Sequence, residues 1–193
     1  MNKIKIFISG AFLAVSLAVF AKSPVDYLNV EKVKFDGKNF SLAWSSHPND
    51  VYYLQEYLPK GENFDNFVEM FSVCIHLYDN ISAAAAVEAK IKELEKRSET
   101  DKCCHYKVYN KDDEYILDFL VSEGNGETLS VVESNVHRYK VIEIDGKKAL
   151  QLIFYSHRAY GDDILPYLGK LAEIKKKWIV EMTQMNINCE ISK

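Results

Sequence analysis

Three short polar segments of the chain place acidic, basic and histidine side chains next to residues that turn the backbone. They cover 55–62, where a predicted strand ends in an acidic turn, 133–139 within another strand, and 157–163 before the last helix. A functional interpretation gathers these binding residues around one cleft at the strand ends: Glu56, Glu133, Asn135, Arg138, His157, Arg158 and Tyr160. In such a cleft, arginines grip a carboxylate or phosphate through paired hydrogen bonds, and a histidine beside a carboxylate acts as a general base.

The same side chains also have a purely structural interpretation. Glu56 and Glu133 can form ion pairs with Arg138 and Arg158 across neighbouring strands, which would hold the sheet in register. We favour this interpretation, because the sequence contains no G-x-S-x-G, H-E-x-x-H, P-loop or G-x-G-x-x-G motif. No catalytic residue and no cofactor is therefore predicted.

The four cysteines are Cys74, Cys103, Cys104 and Cys189. In an oxidising compartment an even number of cysteines indicates disulfides, and four cysteines allow three pairings. Adjacent cysteines rarely bond to each other, so a bond from Cys103 or Cys104 to Cys189 is a candidate. Cys74 is equally compatible with a buried free thiol. The run Cys103-Cys104-His105 has no second ligand pair at a zinc-site spacing, so no metal is predicted.

The first 21 residues predict export from the cytosol. Lys3 and Lys5 precede an apolar stretch from Ile6 to Phe20, and the small residues before Lys22 suit a signal peptidase. We therefore predict a signal peptide at 1–21 and a single domain at 22–193, located in the periplasm or the medium. Nothing after the leader is apolar enough to span a bilayer.

The charge and the aromatic content bear on the partner. The leader takes two of the 24 basic residues with it, which leaves 22 basic against 28 acidic residues. This negative balance argues against a nucleic-acid partner. Tyrosines on two predicted strands suit a surface for an envelope protein, peptide or glycan, but they are equally common on half-exposed sheets: Tyr52, Tyr53, Tyr57, Tyr106 and Tyr109. The oligomeric state is left open.

Hydrophobic periodicity and turn residues predict the order of the elements. The expected strands are 33–35, 40–44, 51–58, 69–77, 104–109, 115–122, 129–141 and 149–156. Helices are expected from Asn80 or Ser82 to about Glu99, and from Asp162 or Asp163 to about Met185. Short connections favour antiparallel pairing. The predicted fold class is α+β, with a twisted antiparallel sheet and two long amphipathic helices packed on one of its faces.

The same three segments resemble a pattern found in small exported bacterial proteins of unknown function. The similar pieces are Glu56-Tyr57-Leu58-Pro59-x-Gly61-Glu62, Asn135-x-x-Arg138-Tyr139 and His157-Arg158-Ala159-Tyr160-Gly161, and they span about two thirds of the chain after the leader. The resemblance implies no activity. The element order also loosely resembles the PsbP/Mog1-type sandwich, a fold used more often for binding than for catalysis, and a likeness of fold does not assign a function.

These observations leave several functions open. The first is an exported, non-enzymatic binding or accessory protein of the bacterial envelope. Alternatives are an immunity factor that binds a toxin and a small envelope hydrolase with a histidine and glutamate pair. The hydrolase would require His137 or His157 within about 3 Å of Glu56 or Glu133, which is hydrogen-bond reach.

Overall fold

The computed structural model describes residues 23–78, 82–125 and 128–192. In these ranges the strands are β1 (Lys32–Phe35), β2 (Lys38–Asn49), β3 (Tyr52–Pro59), β4 (Glu69–Leu77), β5 (His105–Lys111), β6 (Glu114–Gly124), β7 (Leu129–Ile144) and β8 (Lys147–Tyr160). The helices are α1 (Ala83–Ser98), between β4 and β5, and α2 (Ile164–Gln184), which follows a 3-10 turn at Gly161–Asp163. The predicted signal peptide lies outside the described residues.

All eight strands form one curled antiparallel sheet, a half-barrel with the order β1-β2-β3-β4-β8-β7-β6-β5. The sheet consists of two meanders, β1 to β4 and β5 to β8. They meet where β4 pairs with β8, from Glu69 opposite His157 to Leu77 opposite Ala149. The outermost strands of the sheet are thus β1 and β5.

Local sequence explains the turns of both meanders. Asp36-Gly37 and Asp145-Gly146 have positive φ angles of 47° and 74°, and of 51° and 74°. Such left-handed pairs suit tight antiparallel hairpins, and glycine adopts the second angle at little cost. The predicted hairpin between β1 and β2 is confirmed.

Strand β2 continues to Asn49, beyond the end that the sequence predicted at residue 44. Two register shifts, at Leu42/Trp44 and at Ser46/Asn49, interrupt its pairing with β3. A β-bulge accommodates residues that do not fit a regular ladder, and Pro48 lies within the second irregular stretch.

The predicted placement of both helices on one face of the sheet is wrong. Helix α1 buries Ala86, Val87 and Leu94 in one core cluster, which includes Leu150 and Leu152 of β8. Helix α2 buries Leu171, Trp178 and Met182 in another, which includes Ile153 and Tyr155 of β8. Successive side chains of a strand point to opposite faces, so the helices cover opposite faces. We name these the α1 face and the α2 face.

The apolar character of β8 on both faces explains this arrangement. Leu150 and Leu152 are buried on one face, and Ile153 and Tyr155 on the other. When the central strand of a sheet is apolar on both faces, each face must be shielded from water by another element that packs on it. The protein is therefore a strand-rich half-barrel and not a sheet with two helices on one face.

The α2 face contains the largest aromatic cluster described. Trp178 has its ring 4.9 Å from that of Tyr155 and 5.4 Å from that of His157, centroid to centroid. Its Nε1 donates a hydrogen bond of 2.8 Å to Asp36 Oδ2 in the turn between β1 and β2. One side chain thus joins α2 to both meanders.

No helix in the described part of the chain is long and apolar enough to cross a membrane.

Candidate ligand-binding site

A cavity of about 600 Å³ lies on the α1 face, between α1 and the sheet. Small-molecule sites have this size and combine apolar walls with a few polar groups. The apolar lining consists of Leu54, Met70, Cys74, Leu94, Phe119, Val121, Leu152 and Phe154. The polar lining from the sheet consists of Tyr52, Glu56, Ser72, His76, Glu133, Asn135, His137 and Ser156. Helix α1 and the residues after it add Lys90, Glu93, Lys96, Arg97, Glu99 and Thr100.

Strand register places the floor of the cavity in rows. One row runs from Glu56 on β3 to Ser72 on β4, then to Phe154 on β8 and His137 on β7. The next row contains Met70, Ser156 and Asn135. Neighbouring strands lie about 4.8 Å apart, so adjacent members of a row can contact one ligand.

A hydrogen-bonded network forms one end of the floor. Arg158 Nε donates to Glu133 Oε2 at 2.6 Å, and Asn135 Nδ2 donates to Glu133 Oε1 at 2.9 Å. Ser156 Oγ donates to Asn135 Oδ1 at 2.7 Å. The Arg158 guanidinium also lies 3.9 Å from the centre of the Phe67 ring. Glu133 and Arg158 thus form the cross-strand ion pair that the structural interpretation described.

Arg138, one of the predicted binding residues, lies on the α2 face. Arg138 Nε donates to Glu114 Oε1 at 2.7 Å, and its guanidinium donates to the carbonyls of Met182 and Met185 at the end of α2. A cation here satisfies carbonyls that have no partner within the helix. Arg138 therefore anchors α2 and does not line the cavity.

The remaining predicted residues also have structural contacts. His157 stacks on Tyr167, with ring centroids 4.7 Å apart and planes 5° from parallel, and burial lowers its pKa. Tyr160 donates its hydroxyl hydrogen to the carbonyl of Phe67 at 2.8 Å. The structure thus brings Glu56, Glu133 and Asn135 together around the cavity. It places the side chain of His157 on the α2 face, on the other side of the sheet.

The predicted hydrolase pairs are not assembled. His157 points to the face opposite Glu56 and Glu133. His137 and Glu133 are four positions apart on β7, about 13 Å at 3.3 Å per residue, and three strand spacings, about 14 Å, separate His137 from Glu56. His137 lies between the rings of Phe119 and Phe154, and burial lowers its pKa well below the usual range.

Glu56 differs from Glu133, the other acidic residue that the sheet contributes to the cavity. Its carboxylate accepts no hydrogen bond and joins no ion pair in residues 23–78, 82–125 and 128–192. The side chain is half-buried, and desolvation raises its pKa to about 7. A buried carboxylate without a partner is costly unless it is protonated or a ligand pairs with it.

We predict that Glu56→Gln stabilises the protein in alkaline solution. The pKa of Glu56 rises from 4.5 to about 7 on folding, so folded protein binds more protons here than the unfolded chain between these values. The cost of burying the carboxylate is therefore absent below its unfolded pKa and complete above its folded pKa. Urea denaturation should show a gain of about 2 to 3 kcal/mol at about pH 8 and almost none at about pH 4.

The exposed Glu123 supplies the matched control for this prediction. Glu123→Gln should change the free energy of unfolding by less than about 0.5 kcal/mol at either pH. A gain from Glu56→Gln that does not depend on pH would contradict the assignment of the raised pKa.

All four thiols are free, so the candidate disulfide is not formed. Cys104 packs in the α1-face cluster, where its Sγ lies 3.4 Å from the carbonyl of Leu94. Cys189 packs in the α2-face cluster and accepts a hydrogen bond from Gln151. The sheet separates the two sulfurs. Burial raises the pKa of Cys74 to about 12, so this cavity thiol stays protonated and unreactive near neutral pH.

The described residues hold no cluster of three or more histidine, cysteine, aspartate or glutamate side chains placed to bind a metal.

Sequence reasoning missed the serines of the floor. Ser72 lies opposite Glu56 on β4, and Ser156 donates to Asn135. The alternation along β4 was a usable signal, because Met70, Ser72, Cys74 and His76 share the less apolar face of that strand. Joining that face to Glu56 required the register between β3 and β4.

Comparison with known proteins gives a family but no function. No curated protein and no solved structure matches the chain significantly, and nothing in the comparisons supports the analogy to the PsbP/Mog1-type fold. A family model matches residues 28–187, which is most of the chain, and that family is uncharacterised. The chain therefore belongs to this uncharacterised protein family.

Proposed function

We propose that the protein is an exported, non-enzymatic binding protein of the bacterial envelope, and that it binds a small amphipathic molecule. The observation that carries this proposal is the cavity of about 600 Å³ on the α1 face. Its aliphatic and aromatic walls suit a hydrocarbon body, and its serine, asparagine and glutamate side chains suit one polar group. Export rests on the basic and apolar leader at 1–21.

The geometry favours binding over hydrolysis. Glu133 and Asn135 are already engaged by Arg158 and Ser156, and His137 lies between aromatic rings. A general base must reach the proton that it removes, and it works best with a pKa near the operating pH. His137 has a pKa far below that range, so it is a poor base.

A fluorophore titration tests the proposal. Protein recovered from a periplasmic extract, whose first residue should be Lys22, is titrated with N-phenyl-1-naphthylamine, an uncharged apolar dye. We expect saturable binding. Ser72→Phe should weaken it by about tenfold, because the added ring occupies the floor of the cavity.

Ser41→Phe is the matched control, since Ser41 is exposed and does not line the cavity. Its affinity for the dye should equal that of the unmodified protein. An unfolding midpoint measured for each variant shows that it is folded. Absence of saturable binding to folded protein, or equal binding by Ser72→Phe, would refute the proposal.

A further inference from the structure

We infer that the ligand of this cavity carries a basic nitrogen and that Glu56 binds it. This inference rests on the proposed function and names the chemical class of its ligand. The class is an amphipathic amine, with an ammonium group at Glu56 and a hydrocarbon body along the apolar walls.

The described carboxylates that line the cavity differ in their exposure and in their partners. Glu133 is held by Arg158 and Asn135, and Glu93 accepts from Lys90 Nζ at 3.1 Å. Glu99 is exposed at the end of α1. Glu56 alone among the described lining carboxylates is half-buried without a partner. It is the acceptor that the fold leaves for a ligand.

Neither neighbouring strand places a cation opposite Glu56. Its cross-strand neighbours are Ser72 on β4 and Trp44 on β2, and both are neutral. Arg158 forms an ion pair with Glu133, and Arg97 Nε donates a hydrogen bond of 3.0 Å to Asp101. A carboxylate in such surroundings gains most from a cation that arrives with the ligand.

Apolar side chains line the cavity around this carboxylate. Leu54 lies two positions from Glu56 on the same face of β3, and Met70 and Phe154 flank Ser72 across the floor. These side chains offer apolar contact to an alkyl or aryl group. Desolvation in these surroundings also raises the pKa of Glu56 to about 7, the opposite of what a resident cation would do.

Competition with matched octyl compounds tests the inference. Octylamine and 1-octanol share one hydrocarbon chain and differ in their polar group, and each is used to displace bound N-phenyl-1-naphthylamine near neutral pH. We expect octylamine to displace the dye at a concentration about tenfold lower than 1-octanol, since a charged hydrogen bond exceeds a neutral one. Octanoate should be weaker than both, because its charge repels that of Glu56.

Substitution of Glu56 should remove this preference. In Glu56→Gln, the advantage of octylamine over 1-octanol should fall from about tenfold to within about twofold. Glu56→Leu is a second variant, which places an uncharged apolar side chain at this half-buried site. It should likewise lose the preference for octylamine. Glu123→Gln is the control, because Glu123 is exposed and does not line the cavity. It should keep the full preference.

The outcomes separate this inference from the function on which it rests. If no dye binds, the proposed function fails. If dye and 1-octanol bind but octylamine shows no advantage, the amine inference alone is overturned. It is also overturned if Glu56→Gln keeps the advantage or Glu123→Gln loses it.

Discussion

Replacing Trp178 by alanine should lower the free energy of unfolding by about 4 kcal/mol, as expected for a large buried aromatic residue. Trp178 is 1% exposed, packs against Tyr155 and His157, and donates to Asp36. The substitution leaves a void between α2 and the sheet and removes the donor to the turn between β1 and β2. Urea denaturation followed by circular dichroism measures the change.

Val180 offers a control on the same helix, since its side chain is 54% exposed. Val180→Ala should cost less than about 0.5 kcal/mol. Similar losses for the two variants would mean that α2 does not bury Trp178 against the sheet.

Replacing Arg158 by methionine should destabilise the protein by about 3 to 5 kcal/mol, because it leaves a buried carboxylate without its cation. The side chains of Arg158 and Glu133 are 13% and 9% exposed, and 2.6 Å separates Nε from Oε2. Methionine keeps much of the aliphatic volume of arginine, so the loss reports mainly the charge. Thermal or urea unfolding of the variant measures it.

A double variant shows whether the loss comes from the unpaired charge. Glu133→Gln combined with Arg158→Met should recover more than half of the lost stability, since no charge is then left unpaired. Lys92→Met breaks the exposed pair with Glu88 on α1 and should leave the unfolding midpoint almost unchanged. Equal losses in the single and double variants would show that Arg158 acts through packing on Phe67 rather than through Glu133.

Local pattern was sufficient to place most elements of the fold. Asp-Gly turns and alternating side chains gave the hairpins, and the cap at Ser82, whose Oγ accepts from the amide of Ala85, marks the start of α1. The face of the sheet that each helix covers could not be predicted from the local sequence. It depends on the pairing of β4 with β8, which no turn specifies, and on the two apolar faces of β8.

Side-chain alternation also decides which predicted binding residues meet. Glu133 and Asn135 lie two positions apart on β7 and share a face, whereas Arg138 has the opposite parity. His157 and Arg158 are adjacent on β8, so they cannot face one cleft. This alternation could have been applied to the sequence alone, once each segment was assigned to a strand. The unpaired state of Glu56, in contrast, could be seen only with its neighbours in place.

The junction of β4 with β8 has a consequence for how the chain folds. Partners along it are far apart in sequence, from Leu77 and Ala149 at one end to Glu69 and His157 at the other. Each meander can form from contacts between neighbouring strands. This junction instead requires closure of a long loop, and the conformational entropy lost in that closure is offset only when the hydrogen bonds between β4 and β8 form. We therefore expect the two meanders to dock late, in the step that limits the rate of folding, and the cavity floor that spans them to form only then.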